Sequence, residues 1–570
     1  MIWNLIRLQF LLIIFFVSGC VSPDLANKYR PPLFKSSSTA ESYKDFIDGY
    51  MEELKGRFDS AKFFYQRALK SDPGSSFLYL RIAELNLQQG DIDKAEKNAL
   101  KAIDSNSENF RANFILGGLY DSSKKYSLAE KYYRKSVKLD SEHFESKLLL
   151  SSVLIEMKKY DQSVRLLNEI KEKRPGNVLV LFYISKAYYL SGNFKQSQRN
   201  IIALLKINPN YKAGLFLLGS LYEKQGLFTQ AQIIYKRFLK IVPNNQLARY
   251  RLGQLFIKDQ NYSRAINEFE SIKKETPGNM QIHSVLGILY YKKGNYTRAL
   301  SEFRFVINKN PKDQEARLFV SRIYQRLGRI DSAKKELLSY LEIEGSDLEI
   351  SLELSILYAK TENWKKAFYI LNDMNRLYPQ ESRIDFLRGK FLSKKGEKKK
   401  AIKILKIALK KEPKNLQYLY YLATVYYETK MWKQVESEIK KILSIAPDNS
   451  NALNLLGYMY SELNIKINIA EELILKALKK EPNNPAFLDS IGWVYFRQGK
   501  FQEALEKVLI AFKKLPDDPV VLEHLGDIYL SLKKNKKAIF FWKQSIKKGS
   551  KDSRRIRKKI ELQMKRKNND

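Results

Sequence analysis

Sulfur and imidazole are scarce in this sequence. Its 570 residues include one cysteine, Cys20, and three histidines, His143, His283 and His524. A single cysteine excludes a disulfide within the chain and a zinc site built on several thiolates. The histidines stand far apart and none lies in an H-E-x-x-H arrangement, so the common helical zinc-protease pattern is missing. Proline and glycine number only 16 and 25, too few for a low-complexity chain. Acid is in deficit: 101 Lys and Arg against 62 Asp and Glu leave a formal net charge of +39. No phosphate-cradling glycine loop occurs, since Gly117-Gly118 in LGGLY falls where helix packing is expected, and no Ser/His/Asp or Cys/His constellation can be composed. Neither a catalytic residue nor a metal or other cofactor is expected. What is plentiful is core material: 44% hydrophobic residues, with 35 Tyr and 31 Phe, which excludes a disordered chain.

The N-terminus reads MIWNLIRLQFLLIIFFVSGC. One positive charge, Arg7, precedes an apolar run from Leu8 to Val17. That is the layout of a secretory signal, and it is short for a membrane span of about 20 residues. Val17-Ser18-Gly19-Cys20 resembles the lipobox of bacterial lipoproteins. The resemblance implies cleavage before Cys20 and acylation of that residue, and two or more acyl chains hold a protein stably on a membrane. An uncleaved anchor is the plainer alternative. Val21, in place of an Asp, makes the outer membrane facing the periplasm the implied location. Residues 21–41, with three Pro and three consecutive Ser, read as an extended tether.

The few prolines are placed on a ladder. Pro73, Pro175, Pro209, Pro243, Pro277, Pro311, Pro379, Pro413, Pro447, Pro482 and Pro516 are separated by multiples of 34, with one interval of 35. Units of that length counted from residue 42 place a small residue at position 8 of every unit, as in Gly117, Ser185, Gly253, Gly389, Gly492 and Gly526. Position 20 is usually Ala, as in Ala231, Ala299 and Ala504, and position 11 is often Tyr, as in Tyr222 and Tyr426. The pattern resembles the tetratricopeptide repeat. The resemblance implies an all-α, right-handed superhelical solenoid of about fifteen 34-residue helix-turn-helix repeats. Small residues at 8 and 20 let two antiparallel helices approach closely. Gly226, Gly294 and Gly499 are expected to end first helices in left-handed turns, and the prolines to stop the second helices. One extra residue around Asn464–Asn468 predicts a longer turn in repeat 13. The domain reading is a signal peptide over 1–19, acylated Cys and tether over 20–41, the solenoid over 42–552, and a basic capping helix and tail over 553–570. In that helix Ile556, Ile560 and Met564 are expected to share one stripe.

A stacked array offers a groove rather than an enclosed pocket. In this family positions 5, 9 and 12 of the first helices face it. Here they supply Phe182, Lys186, Tyr189, Phe216, Tyr250, Gln254, Tyr291, Arg322, Phe386, Lys390, Tyr420, Tyr427, Trp493 and Phe496. Aromatics alternating with Lys, Arg and Gln suit an extended peptide with apolar side chains and some acid; packing between repeats is the alternative for each. Asp489, Glu523 and Asp527 fall on the same face, where ordinary surface charge is the simplest reading. His283 is expected to be a core histidine, His143 a solvated turn residue, and His524 a residue with acidic neighbours.

The expected function is therefore a non-enzymatic, lipid-anchored scaffold of the bacterial cell envelope. It would bind protein partners in envelope biogenesis, secretion or polysaccharide export. The alternative is an accessory subunit that binds anionic glycan or lipid for a cell-wall or capsule polymer system. An envelope location argues against nucleic acid as the partner of the positive charge.

Overall fold

The computed structural model describes residues 40–550 and 552–569. Cys20, the apolar run before it and most of the expected tether lie outside the described residues. The chain divides into two compact units at Lys293/Gly294. Every described element is a helix or a turn. Among the described residues no helix is long and apolar enough to cross a membrane.

The first unit starts with α1 (Ala40–Leu54) and α2 (Phe58–Ser71) and continues as helix pairs to Met280–Lys292. The second starts at Tyr296–Lys309 and ends in α31 (Ser553–Asn569). Within each unit the helices of a repeat pack on each other, and the second helix of one repeat packs on the first helix of the next. First helices typically run 13 residues and second helices 14, so a repeat closes in 34.

Sequence chemistry sets these boundaries. Asn or Asp stands before many first helices and accepts from backbone N–H groups of the first turn, as Asn177, Asn245, Asn415 and Asp518 do. Gly226, Gly294 and Gly499 adopt φ of 75°, 75° and 77° at the turn between helices. Lys124, Gln260, Glu362 and Lys430 enter the same left-handed region at the same step, where a side chain is tolerated at some cost. Repeat 13 uses two such residues, Asn464 and Lys466, around its extra residue.

Position 8 is where the two helices of a repeat touch. A Cβ placed on Gly117 would lie 2.5 Å from the Tyr133 ring, and one on Gly389 would lie 2.6 Å from Leu405 Cγ. The partner is the large residue at position 24, and Tyr65, Tyr133, Tyr235, Phe269 and Trp542 there are fully buried. The glycine and the bulky residue form one packing unit, so neither can change size alone.

Three expectations need correction. The stripe of α31 runs through Ile556, Ile560 and Gln563, while Met564 is exposed. A helix of 3.6 residues per turn returns to one line at i+4 and i+7, not at i+8. His143 is not merely solvated. It caps Phe144–Glu156, its Nδ1 accepting from the Ser146 N–H at 3.1 Å, and it meets the Phe110 and Phe114 rings edge-on. Asp489 and Glu523 are not surface charges but buried ones. His283 does sit in the core, with Nε2 3.0 Å from the Pro277 carbonyl.

Candidate binding surfaces on the first helices

The first helices of repeats 9 to 12 span Gln314–Arg326, Leu348–Lys360, Ser382–Lys394 and Leu416–Glu428. Between them opens a cavity of about 250 Å³. Its floor is apolar, from Leu318, Leu352, Ile356, Phe386 and Leu387. Its rim is polar, from Arg322, Glu349, Glu353, Arg383 and Gln417. Phe386 is held rigid by stacking on Tyr418, centroids 4.4 Å apart, and by an edge contact with Tyr421 at 5.5 Å. Arg322 is exposed and its guanidinium lies 5.6 Å from the Phe319 ring. Arg383 bonds Glu381 at 2.8 Å and Glu349 at 2.7 Å. The Arg383 hydrogen bonds hold the Glu381 carboxyl below its usual range. Lys390, one turn beyond Phe386, is half-buried. Burial first, then the charge of Lys394, lowers its pKa.

The corresponding surface of repeats 13 to 15 is filled. Its first helices are Ser450–Glu462, Pro485–Arg497 and Pro519–Ser531. His524 Nδ1 lies 3.0 Å from both carboxylate oxygens of Asp489, and both residues are buried. The imidazole is stacked on Trp493, centroids 4.1 Å apart and 15° between planes. Its Nε2 is 3.4 Å from the Tyr458 hydroxyl. Burial pushes the imidazole pKa down. The charge and hydrogen bond of Asp489, with Asp527 and Glu523 behind it, outweigh burial and raise it. Glu523 accepts from Arg555 at 2.7 Å and from Lys559 at 3.0 Å, and Asp527 accepts from Lys559 and from Trp542 Nε1. Two basic residues of α31 are thus engaged in ion pairs within the chain. The His–Asp pair has the composition of a catalytic dyad, yet its other nitrogen faces the hydroxyl of the half-buried Tyr458, and it links repeats 13, 14 and 15.

The structure separates the fourteen expected groove residues. Arg322 and Phe386 line the open cavity together. Phe386 at 6% exposure and Trp493 at 7% are walls rather than free platforms, and Phe182 at 3% is covered. For these three the packing alternative holds: Phe386 and Trp493 pack on Tyr418 and His524 of the next first helix, and Phe182 packs on Tyr183 and Tyr211. Phe216 lies edge-on to Tyr235 and Phe238 of its own repeat. Lys186 reaches Glu156 at 3.0 Å. Tyr189, Gln254, Tyr291 and Tyr420 are half-buried. Tyr427 bonds Glu462 and meets Trp432 edge-on, and Phe496 stacks on Trp493 at 4.6 Å. Tyr250 stays 41% exposed, its ring edge on Phe269.

Positions 2 and 6 were missed. Arg383 and Gln417 occupy the first, Glu353 and Leu387 the second, and all four line the cavity. Their signal was the same 34-residue register, read about 60° and 100° around the helix from position 5, on one flank of the expected stripe. Among the described residues no group of three or more His, Cys, Asp or Glu could hold a metal ion.

Tetratricopeptide-repeat models match residues 80–144, 184–245, 216–280, 466–519 and 490–542, and a second such model matches 290–349 and 392–457. The TPR repeat-containing protein PA4667 of Pseudomonas aeruginosa is 36% identical over 118 residues, 21% of this chain and 20% of that protein. The chain therefore matches about a fifth of that relative's length. Among solved structures, the APC/C hetero-tetramer Cut9–Hcn1 is similar with a TM-score of 0.39 and 14% identity, over 85% of this chain and 96% of that one. YrrB, a TPR protein with an unusual peptide-binding site, gives 0.30 and 17%, over 32% of this chain and 95% of its own.

Proposed function

The chain is a tetratricopeptide-repeat protein, and on that premise we propose that it is a non-catalytic scaffold that holds extended segments of partner proteins on its first helices. The observation that carries this reading is the cavity of repeats 9 to 12. An apolar floor fixed by stacked rings lies under a rim with an exposed arginine. Apolar side chains of a peptide are removed from water on that floor, at about 25 cal/mol per Å² of area covered. Arg322 supplies a planar donor for an acidic side chain or a backbone carbonyl. The floor is already ordered, so binding costs little side-chain entropy on the scaffold's side. Repeated weak sites at fixed spacing combine on one chain, because the second contact is intramolecular.

We further propose that the scaffold is anchored through an acylated Cys20 in a bacterial cell envelope, outer membrane facing the periplasm, and serves envelope biogenesis, secretion or polysaccharide export. The sequence VSGC after an apolar run supports this. Cys20→Ser is expected to release the protein from the membrane fraction, and unchanged retention would favour the uncleaved anchor.

The groove is tested by placing a photo-crosslinking amino acid at Leu352 and, separately, at the outward-facing Lys433 of the same unit. Peptides of one or a few proteins should be captured at Leu352 and be absent at Lys433. Identical adducts at both positions would reject the groove as the binding surface.

A further inference from the structure

The helix Lys398–Lys411, second in repeat 11, reads KKKAIKILKIALKK. Ala401, Leu405 and Ala408 are fully buried. Lys399, Lys403, Lys406 and Lys410 are exposed. At 3.6 residues per turn these four fall within about 60° of one another and diametrically opposite the buried line. They form a straight row on the outer surface, roughly 16 Å long at 1.5 Å per residue.

Nothing among the described residues neutralises that row, since no ion pair involves any of the four. The helix itself contains no acid. The two acids flanking it are engaged elsewhere. Glu397 bonds Lys395 and Lys400, both at 2.7 Å, which holds its carboxyl down to about 2. Glu412 accepts from Ser382 and Asn415.

General lysine richness does not account for the row. The same four outward positions read Asp331, Lys335, Leu338 and Glu342 in repeat 9. They read Lys365, Tyr369, Asn372 and Arg376 in repeat 10, and Lys433, Ser437, Lys440 and Ser444 in repeat 12. Of the fifteen repeats, only repeat 11 has lysine at all four.

We propose that this row is a docking face for an anionic lipid surface. The occupant follows from the chemistry present and lacking along the stripe. It holds no arginine fork for bidentate recognition of a single phosphate. It holds no aromatic ring on which a sugar or base would stack. Lysine ammonium groups on long stems are mobile point charges that suit many loosely placed headgroups at once, and each contributes through the surface potential rather than through one fixed contact. Ile407, 37% exposed beside the row, is the one large apolar side chain there. A scaffold held this way by its second helices keeps its first helices turned to a partner. The inference stands apart from the groove reading, because the row and the cavity lie on different helices.

The test is sedimentation of the full-length chain with vesicles of phosphatidylcholine alone and of phosphatidylcholine with phosphatidylglycerol. The apolar N-terminal run contributes alike to both vesicles, and the basic residues beside it, Arg7, Lys28, Arg30 and Lys35, contribute alike to wild type and variant, so the row is read from the difference between the two proteins. The wild type should prefer the anionic vesicles, and the preference should weaken with added salt. The variant Lys399→Gln/Lys403→Gln/Lys406→Gln/Lys410→Gln should weaken the preference by on the order of a thousandfold, with its helical circular dichroism unchanged. An unchanged ratio in the variant would overturn the proposal, as would a wild-type ratio of one. Stripe-dependent capture on dextran sulfate without any vesicle preference would overturn the lipid assignment in favour of a soluble polyanion.

Discussion

Position 5 of the first helices is Leu318, Leu352 and Phe386 in repeats 9 to 11, and Asn454, Asp489 and Glu523 in repeats 13 to 15. The first set floors an open cavity. In the second, His524 meets Asp489 from the neighbouring repeat, and Arg555 and Lys559 meet Glu523 from α31. The register is the same, and the outcome depends on what the next element contributes. An apolar position 5 leaves a surface that a partner can cover. A charged one, once buried, must be matched from within the chain, because an unpaired buried charge is costly. The terminal repeats have spent their inner face on holding together.

The sharpest way to break this contrast is Asp489→Ala. It leaves His524 buried beside an empty partner site and should destabilise the last repeats by about 3–5 kcal/mol. Hydrogen exchange should show the loss over residues 485–531, with residues 348–394 protected as before, since a repeat array couples mainly to its neighbours. Gly389→Leu comes next. It forces a side chain against Leu405 and should cost about 1–3 kcal/mol in a denaturant melt. If both substitutions loosened the whole unit equally, the two regions would not be distinct. Arg322→Glu probes the open face alone. It should leave the melt within about 0.5 kcal/mol of wild type. Binding of a captured acidic peptide should weaken about tenfold, the equivalent of about 1.4 kcal/mol.

The smallest effect is a pH dependence confined to the filled face. His524 titrates above its ordinary 6.5 in the folded chain. Its charged pair with Asp489 therefore contributes fully below that value and is lost as pH rises through the raised one. Protection of residues 519–531, corrected for intrinsic exchange, should fall as pH rises above the ordinary histidine value and through the raised one. In His524→Gln the dependence should flatten, while the cavity region shows none in either protein.

Much of the architecture was legible in the residues. Proline at one step, glycine at another and a small residue at position 8 are local demands of a turn, a helix stop and a close approach. Each recurs because each repeat solves the same problem. The extra residue before Ile467 was readable for the same reason. The exposure of individual inner-face residues was not. Trp493 and Tyr250 share the groove-facing side, and only one is covered. The carboxylates of Asp489 and Glu523 looked like surface charge because their partners, His524, Arg555 and Lys559, stand 32 to 36 residues further on.

By itself the sequence determined the helices, their pairing, their boundaries and the outward row of lysines in repeat 11. All of these follow from periodicities within a single repeat. Only the tertiary structure decided which inner-face positions stay open and which are closed. Closure depends on side chains that meet across repeats, at separations where spacing along the chain carries no information about distance.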